Sequence, residues 1–290
     1  MTSFARTSSL DDVVARHPES HGWLSLYRVV HAALAQPGWA EAVPPQPAAG
    51  AGEPLMAGAV LTVDTRAVRR LVDAVLDRAQ ASIGEPGVAP FGAEASLALV
   101  EAAINEDSVT VSALAAERSV GPALLAEAAA LAAMPLLQAC RAAWGARVQP
   151  DWMAAACPVC GAWATLCEAR GVERTMRLRC GRCGADWTGQ PVRCPFCGNI
   201  EHATLGALVS ERTGDTRKVE TCSACLGYVK TVTTLQACPP AEVRLLDLDT
   251  VDLDIAALER GYARPSRPAH HLGLRVVARQ RGRLATLFGR

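Results

Sequence analysis

Eight cysteines arranged in four pairs are the residues of this sequence with the clearest capacity for chemistry. Two residues separate the cysteines of each pair, and a glycine follows directly or after one further residue. The pairs are Cys157/Cys160, Cys180/Cys183, Cys194/Cys197 and Cys222/Cys225. A CxxC turn aims two thiolates at one point, and two such turns complete a tetrahedral site of four sulfurs. The sequence therefore predicts two metal sites of four cysteines each.

The intervals between the pairs indicate how they combine. Nineteen residues separate Cys160 from Cys180, which suits a β-hairpin between two turns. Twenty-four residues separate Cys197 from Cys222. This interval is slightly longer than is usual in a zinc ribbon, so the second site is supported mainly because it repeats the first unit. Pairing of consecutive turns is the simplest arrangement, and interleaved pairing stays open.

CxxC pairs also occur in disulfides and redox-active dithiols, so the cellular compartment matters. The N-terminus MTSFARTSSLDDVV has neither the basic start nor the apolar run of a secretory signal, which predicts a cytosolic protein. Because the cytosol keeps thiols reduced, four pairs in series favour metal binding. Four protein ligands leave no coordination position for a substrate, and both iron and zinc accept such sites. A structural or electron-transfer role is therefore favoured over catalysis.

Helical periodicity dominates the first 150 residues. The clearest helix is predicted over 65–81, where apolar residues recur at i, i+3 and i+4 behind Asp64 as N-cap. Further helices are predicted over 23–35, 93–105, 109–118 and 122–144. The proline- and glycine-rich stretch 41–54 predicts an exposed loop. The last helix is nearly long enough to span a membrane, but its alanines and Pro135 favour a buried core helix without membrane insertion.

The pattern changes near residue 150, beyond which ten of the eleven cysteines lie. Short strands are predicted over 163–169, 174–180, 203–210, 216–221 and 228–235, with turns at Gly171 and 213–215. The segment 242–262 predicts a strand followed by a helix from about 251 to 260. The fold class is therefore α+β, with an all-α N-terminal domain followed by two small rubredoxin-like or zinc-ribbon-like β modules. The expected domains are 1–150, 151–191 and 192–290, the last including a C-terminal strand, helix and tail.

The ordered motifs CPVCGAWA, LRCGRCGADW, VRCPFCGN, ETCSACLGYVK and DLDTVDLDIAALERGYARP resemble the FdhE-type formate dehydrogenase accessory proteins over most of the chain. The resemblance implies a helical domain before two rubredoxin-like modules that carry iron on the eight paired cysteines. It also implies a cytoplasmic, non-enzymatic factor that docks on the formate dehydrogenase catalytic subunit and is needed for its activity. The final HHLGLRVVARQRGRLATLFGR is an unusual extension relative to that family.

Two other functions stay open at this stage, a zinc-ribbon nucleic-acid binder and a rubredoxin-type electron carrier. Trp163, Trp187 and Tyr228 follow CxxC turns and either cover the sites or stack on bases. A local basic surface for nucleic acid would come from Arg174, Arg177, Arg179, Arg182 and Arg193. The formal net charge of zero argues against nucleic acid, as does an N-terminal half with 10 basic and 15 acidic residues.

The unpaired cysteines, the acidic residues between 247 and 254 and the C-terminal arginines are expected to have structural roles or to be solvent-exposed. Cys140, Cys167 and Cys238 are unpaired and are expected to be core thiols. The acidic residues Asp247, Asp249, Asp252 and Asp254 lack the pattern of an EF-hand and are interpreted as strand-end and helix-cap residues. The arginines between 275 and 290 are expected to form a solvated end.

Overall fold

Helices form the N-terminal layer of the molecule. The structure is a computed structural model that describes residues 10–84, 89–210 and 214–280. The helices of this layer are α1 (Leu10–Arg16), α2 (His21–Leu34), α3 (Thr65–Ile83), α4 (Ala93–Asn105), α5 (Ser108–Arg118) and α6 (Pro122–Trp144). The five predicted helices are all present, with boundaries within two residues of the prediction, and α1 is an addition.

The α3 helix shows why periodicity located these helices. Asp64 accepts a hydrogen bond from the N–H of Arg66 at 2.9 Å and so satisfies a donor that the first turn leaves unpaired. The helix ends at Gly84, whose φ of +72° stops further helical turns. Its buried stripe, including Val68 and Val75, faces α2, α4 and α6.

The α6 helix is the centre of this layer. The segment Pro122–Arg147 is long and apolar enough to cross a membrane by length and composition, but 61% of its most apolar window is buried inside the fold. Helices α2, α3, α4 and α5 all pack on it. The Trp144 side chain is buried and donates through Nε1 to the carbonyl of Pro44 at 3.0 Å. This burial is the pattern of a core helix, as predicted.

Eight strands form two sheets within the described ranges. They are β1 (Val60–Val63), β2 (Leu166–Arg170), β3 (Thr175–Arg179), β4 (Asp186–Thr188), β5 (Leu205–Ser210), β6 (Gly214–Cys222), β7 (Gly227–Thr234) and β8 (Arg275–Ala278). Six of them form one sheet in the order β4-β3-β2-β7-β6-β5. The antiparallel β2–β3, β5–β6 and β6–β7 pairs join predicted strands, and the short strand β4, antiparallel to β3, is an addition. Strands β2 and β7 pair in parallel, with Leu166 opposite Lys230. This pairing joins the two cysteine modules in one sheet, and the α+β class is confirmed.

The C-terminal extension completes the helical layer. Strand β8 pairs in parallel with β1, so the N-terminal part contains one strand besides its helices. The side-chain amide of Asn105 in α4 holds Leu274 by two hydrogen bonds, at 2.9 and 3.0 Å, and Leu274 and Val276 are buried. Arg279 forms an ion pair with Glu41 at 2.7 Å. The other predicted tail arginines, from residue 281 onward, and Thr213 of the predicted turn lie outside the described residues.

The strand predicted at the start of the segment 242–262 is wrong. That segment forms α7 (Val243–Leu248) and then α8 (Val251–Leu258). Val243 and Leu246, one helical turn apart, join the buried cluster that contains Leu166 and Val232 of the central strands. A strand would alternate faces and could not place both side chains on one side, so this contact favours the helix.

Buried ion pairs hold these two helices on the sheet. Lys230 is 0% exposed, and its ammonium lies 2.8 Å from the Asp247 carboxylate and 2.6 Å from that of Asp254. Arg264 binds the same two carboxylates at 2.7 and 2.9 Å. Burial alone would raise the pKa of Asp247, but Lys230 and Arg264 outweigh it and hold that pKa well below its usual range. The acidic run, interpreted from sequence as strand ends and caps, therefore includes the partners of buried cations.

Replacement of Lys230 tests this network. The variant Lys230→Ala removes the fully buried cation that Asp247 and Asp254 share and leaves the less buried Arg264 as their common partner. We therefore expect a loss of about 3 kcal/mol in the free energy of unfolding, the lower end of the cost of breaking a buried ion pair. The control Lys218→Ala removes a more exposed pair with Glu220 and should cost about 1 kcal/mol or less. Because the folded pKa of Asp247 is depressed, its contribution is present above pH about 4 and is lost as pH falls below that. Equal losses in the two variants, measured by urea unfolding at pH 7, would contradict the assignment.

Candidate metal centres

Three of the four CxxC turns share one backbone pattern. In the first turn, the N–H of Cys157 donates to the carbonyl of Ala162 at 2.8 Å, and the N–H of Gly161 donates back to Cys157 at 2.9 Å. The turns at Cys180 and Cys194 repeat both bonds. The glycine that follows each second cysteine has a φ between +69° and +76°, which side chains rarely allow. The glycines noted in the sequence are thus required by the turn that directs the sulfurs.

The fourth turn departs from this pattern. Leu226 takes the left-handed position with a φ of +56°, and glycine comes one residue later. A Cβ added to Gly227 would lie 2.9 Å from the Phe196 ring and 3.0 Å from the Cys225 sulfur. Gly227 also pairs with Cys222 in the β6–β7 hairpin. Glycine is needed here because the third and fourth turns approach closely.

The four turns bring the eight sulfurs into two groups, and consecutive turns combine. The first cluster is Cys157, Cys160, Cys180 and Cys183, and the second cluster is Cys194, Cys197, Cys222 and Cys225. Within each cluster all sulfurs lie within 4.8 Å of one another. Sulfurs that face each other are 3.4–3.8 Å apart, well beyond the disulfide bond length of about 2.05 Å. A metal–sulfur bond of about 2.3 Å gives a tetrahedron with edges of about 3.8 Å, so both clusters fit a four-sulfur metal site.

The two clusters differ in exposure. Every cysteine of the first cluster is at most 1% exposed and belongs to the apolar core shared with the helices. Arg182, inside the second CxxC turn, forms an ion pair with Glu106 at 2.6 Å and donates to carbonyls at the end of α4. In the second cluster, by contrast, Cys197 and Cys225 are exposed. The first cluster therefore lies inside the contact between helices and sheet, and the second faces solvent.

Burial restricts the charge that the first cluster can hold. The pKa of Cys180 is held well below its usual range by hydrogen bonds from the neighbouring thiols. Burial raises the pKa of Cys157 and Cys183 well above theirs. Four buried thiolates need a compensating cation, and metal loading at this site should therefore release protons.

In the second cluster, hydrogen-bond donors favour one thiolate. Burial works against ionisation of Cys222, but backbone N–H groups and the Asn199 side chain, 3.6 Å from the sulfur, lower its pKa to about 7. Burial raises the pKa of Cys194 and of Cys225. N–H donors of this kind stabilise thiolate charge and orient ligands around a metal.

The unpaired cysteines lie apart from both clusters. Cys140, Cys167 and Cys238 are buried, and burial raises the pKa of each thiol to about 12. A thiol with such a pKa is almost fully protonated at neutral pH and is a poor nucleophile. These residues are core thiols, as expected from the sequence.

The aromatic residues beside the turns are engaged in packing. Trp187 is buried and donates to the carbonyl of Ala154 at 3.2 Å. Trp163, after the first turn, meets Phe196 of the third turn edge to face, with centroids 5.6 Å apart. Tyr228 donates to Asp254 at 2.7 Å. These contacts tie the two clusters to each other and to α8.

The arginines considered for a nucleic-acid surface are largely neutralised by acidic partners. Arg174 pairs with Asp215 at 2.6 Å, and Arg177 pairs with Asp186 at 3.1 Å. Arg179 is buried against Glu168, and Arg182 is bound to the helical layer. Arg193 donates to Gln190 at 3.1 Å. Nucleic-acid affinity depends on free positive charge at phosphates, so these pairs weigh against that function.

Together the fold and the two clusters define an α+β protein with zinc-ribbon-like modules that could hold two metal ions.

No protein-family model matches the chain. Two curated relatives, each named Protein FdhE homolog, match part of it. The one from Aquifex aeolicus (strain VF5) is 31% identical over 119 residues, 40% of this chain and 41% of the relative. The one from Stutzerimonas stutzeri (strain A1501) is 33% identical over 111 residues, 37% of this chain and 35% of the relative.

The match therefore spans well under half the length of these relatives. The crystal structure of the FdhE protein from Pseudomonas aeruginosa superposes with a TM-score of 0.54 and 22% identity. It covers 91% of this chain and 97% of that one, which shows a common fold. These comparisons confirm the resemblance to FdhE-type proteins.

Metal content tests the two clusters. Anaerobically purified protein should carry about two metal ions per chain, with visible charge-transfer absorption if they are iron. The double variant Cys194→Ser/Cys197→Ser should keep one, because the first cluster draws no ligand from that turn. The control Cys140→Ala should keep both. Elemental analysis that finds one ion or none in the native chain would refute the two-site assignment.

The difference in exposure predicts a difference in lability. A chelator should remove metal in two phases, with the second cluster in the faster phase because Cys197 and Cys225 are open to solvent. The Cys194→Ser/Cys197→Ser variant should show the slow phase alone. Stopped-flow and long-time absorbance with a chromogenic chelator measure both rates. A native chain that loses both ions at one rate would show that burial does not control release.

Proposed function

We propose that the chain is a cytoplasmic accessory factor, not an enzyme, that is required for formate dehydrogenase activity. It binds iron through two rubredoxin-type four-cysteine centres, with zinc as the alternative, and the ligands are the eight cysteines of the two clusters. The observation that carries this proposal is the fold shared with an FdhE protein over 91% of the chain, combined with two complete sulfur clusters.

The two centres have different roles in this proposal. The first cluster is buried between helices and sheet, so it serves as the structural link of the molecule. The second cluster has two exposed cysteines, and the exposed apolar residues Ile200 and Leu226, 66% and 56% exposed, follow them closely in the chain. Exposed apolar groups beside an ordered site are a common feature of protein contact surfaces. We place the docking surface for the dehydrogenase catalytic subunit here.

The sites themselves support an accessory role. A centre with four protein ligands has no open coordination position, so it cannot bind and polarise a substrate as a catalytic zinc does. The three other thiols are buried with raised pKa values and do not supply a nucleophile. Formate oxidation is therefore assigned to the client.

An electron-carrier role is the second candidate. The exposed Cys197 and Cys225 would bring an iron centre close to a partner's surface, as electron transfer requires. The first candidate is preferred because the shared fold extends over the helical layer as well as the cysteine modules.

Complementation tests the accessory role. A strain without the gene should lose formate dehydrogenase activity and regain it with the native chain but not with Cys197→Ala. The variant Ile200→Glu, which leaves all ligands in place, should reduce capture of the catalytic subunit and cellular activity by about tenfold or more, the effect of losing a docking contact of about 1.4 kcal/mol. The control Val109→Glu changes an apolar residue on α5 that is even more exposed, at 78%, and should behave as native. Full activity with a metal-free second cluster would defeat the proposal.

A further inference from the structure

Strand β5 is one end of the six-stranded sheet, and no other strand of the described residues lies along its outer edge. The carbonyl of Thr204, just before β5, accepts a hydrogen bond from the N–H of Ser223 at 2.8 Å. Hydrogen-bonded and non-hydrogen-bonded pairs alternate along an antiparallel ladder, and the register with β6 is unbroken from Leu205 to Val209. The N–H and C=O groups of Leu205, Ala207 and Val209 therefore point away from β6, towards the open edge.

This edge lacks the features that usually keep strand edges unpaired. Natural edge strands are very short, charged, interrupted by proline or a bulge, or covered by another segment. Strand β5 has six residues, LGALVS, without charge or proline, and its register shifts only after Val209. The opposite edge strand, β4, has three residues, and its Asp186 pairs with Arg170 and Arg177. Of these two edges, β5 is thus the one suited to receive a further strand.

A groove of about 340 Å³ lies along the face of the sheet next to this edge. Its lining includes Ala207, Glu220 and Val229, which are cross-strand neighbours on β5, β6 and β7. Leu205 and Phe196 add apolar surface to it. Because side chains alternate between the two faces of a strand, a strand added to β5 would direct every second side chain towards the groove.

Charge in the groove favours a segment that carries a carboxylate. Lys218 and Glu220 line the groove and form an ion pair with each other at 2.9 Å. Arg193 also lines it and is exposed. Its guanidinium donates to the side-chain oxygen of Gln190 at 3.1 Å and, among the described residues, to no carboxylate and no cluster sulfur. The fork of N–H donors that remains matches a carboxylate in geometry and charge.

We propose that β5 receives an extended segment of the dehydrogenase catalytic subunit as a seventh strand, with a large apolar side chain in the groove and a carboxylate on Arg193. Strand addition of this kind obtains affinity from main-chain hydrogen bonds and specificity from alternate side chains. A second copy of the chain fits less well, because its own β5 has no side chain larger than leucine and no carboxylate. This inference rests on the proposed function, since it names how the client is held beside the second cluster.

Amide hydrogen exchange of the metal-loaded full chain, followed by NMR, tests strand addition. In the isolated chain the outward N–H groups of Leu205, Ala207 and Val209 should exchange fast, and those of Gly206 and Leu208, bonded to β6, slowly. The purified catalytic subunit should slow exchange of the outward set by about tenfold or more. Light scattering should give the isolated chain the mass of a single copy.

Two variants locate the contact in capture assays with the same subunit. Ala207→Pro removes an outward N–H and no bond to β6, so it should fold but capture the subunit about tenfold less well or worse. Arg193→Gln should weaken capture by about threefold or more, because it keeps the strand and loses the charge. The control Arg70→Gln, at an exposed position of α3, should behave as native. Circular dichroism and metal analysis check that each variant is folded and loaded.

The outcomes separate this inference from the proposed function. A complex that forms without protection of the outward amides, or that Ala207→Pro and Arg193→Gln form as well as the native chain, would overturn strand addition and leave the accessory role intact. Protection of those amides in the isolated chain, with the mass of a dimer, would show that a second copy covers the edge. Absence of any complex with the native chain would contradict the proposed function and this inference together.

If Ala207→Pro does not fold, Arg193→Gln and the exchange rates of the native chain decide the question by themselves.

Discussion

The parallel pairing of β2 with β7 is the constraint on which the rest of the molecule depends. It places two fully buried charges, Glu168 and Lys230, on adjacent central strands. Buried charges need partners in fixed geometry. The Glu168 carboxylate forms ion pairs with Arg179 and Arg170 and accepts a hydrogen bond from the N–H of Cys238. The Lys230 ammonium forms ion pairs with carboxylates of α7 and α8. The segment after β7 therefore has to fold back over the sheet.

The same pairing sets the environments of the two clusters. It orders the sheet so that the β2–β3 hairpin, with the first cluster, faces the helices, while the β5–β6 hairpin lies at the far edge. The Trp163–Phe196 contact then holds one cluster near the other. One cluster becomes part of a core and the other becomes part of a surface. A single repeated motif thus forms one buried cluster of four cysteines and one with two exposed cysteines.

Contacts between segments distant in sequence also hold the C-terminal part of the chain on the helical layer. Strand β8 crosses back to β1, and Asn105 fixes it to α4. Arg182 reaches the end of α4 from the second CxxC turn, where the C-terminal end of the helix dipole favours a cation. Helices, cysteine modules and C-terminal strand therefore support one another.

The sequence by itself determined the local features: the five main helices, the β2–β3, β5–β6 and β6–β7 hairpins, the four CxxC turns, with left-handed glycines in the first three, and the eight sulfurs. These depend on bonds within a few residues, which periodicity and spacing record. Tertiary structure alone decided the β2–β7 pairing, the helical form of α7, the unequal exposure of the clusters and the acidic partners of the arginines. Arg182 and Glu106, for example, are 76 residues apart, and Lys230 and Asp254 are 24 apart. The residues next to a charged side chain in sequence do not show whether solvent or a buried partner will surround it, because burial and pairing are set by chain segments distant in sequence.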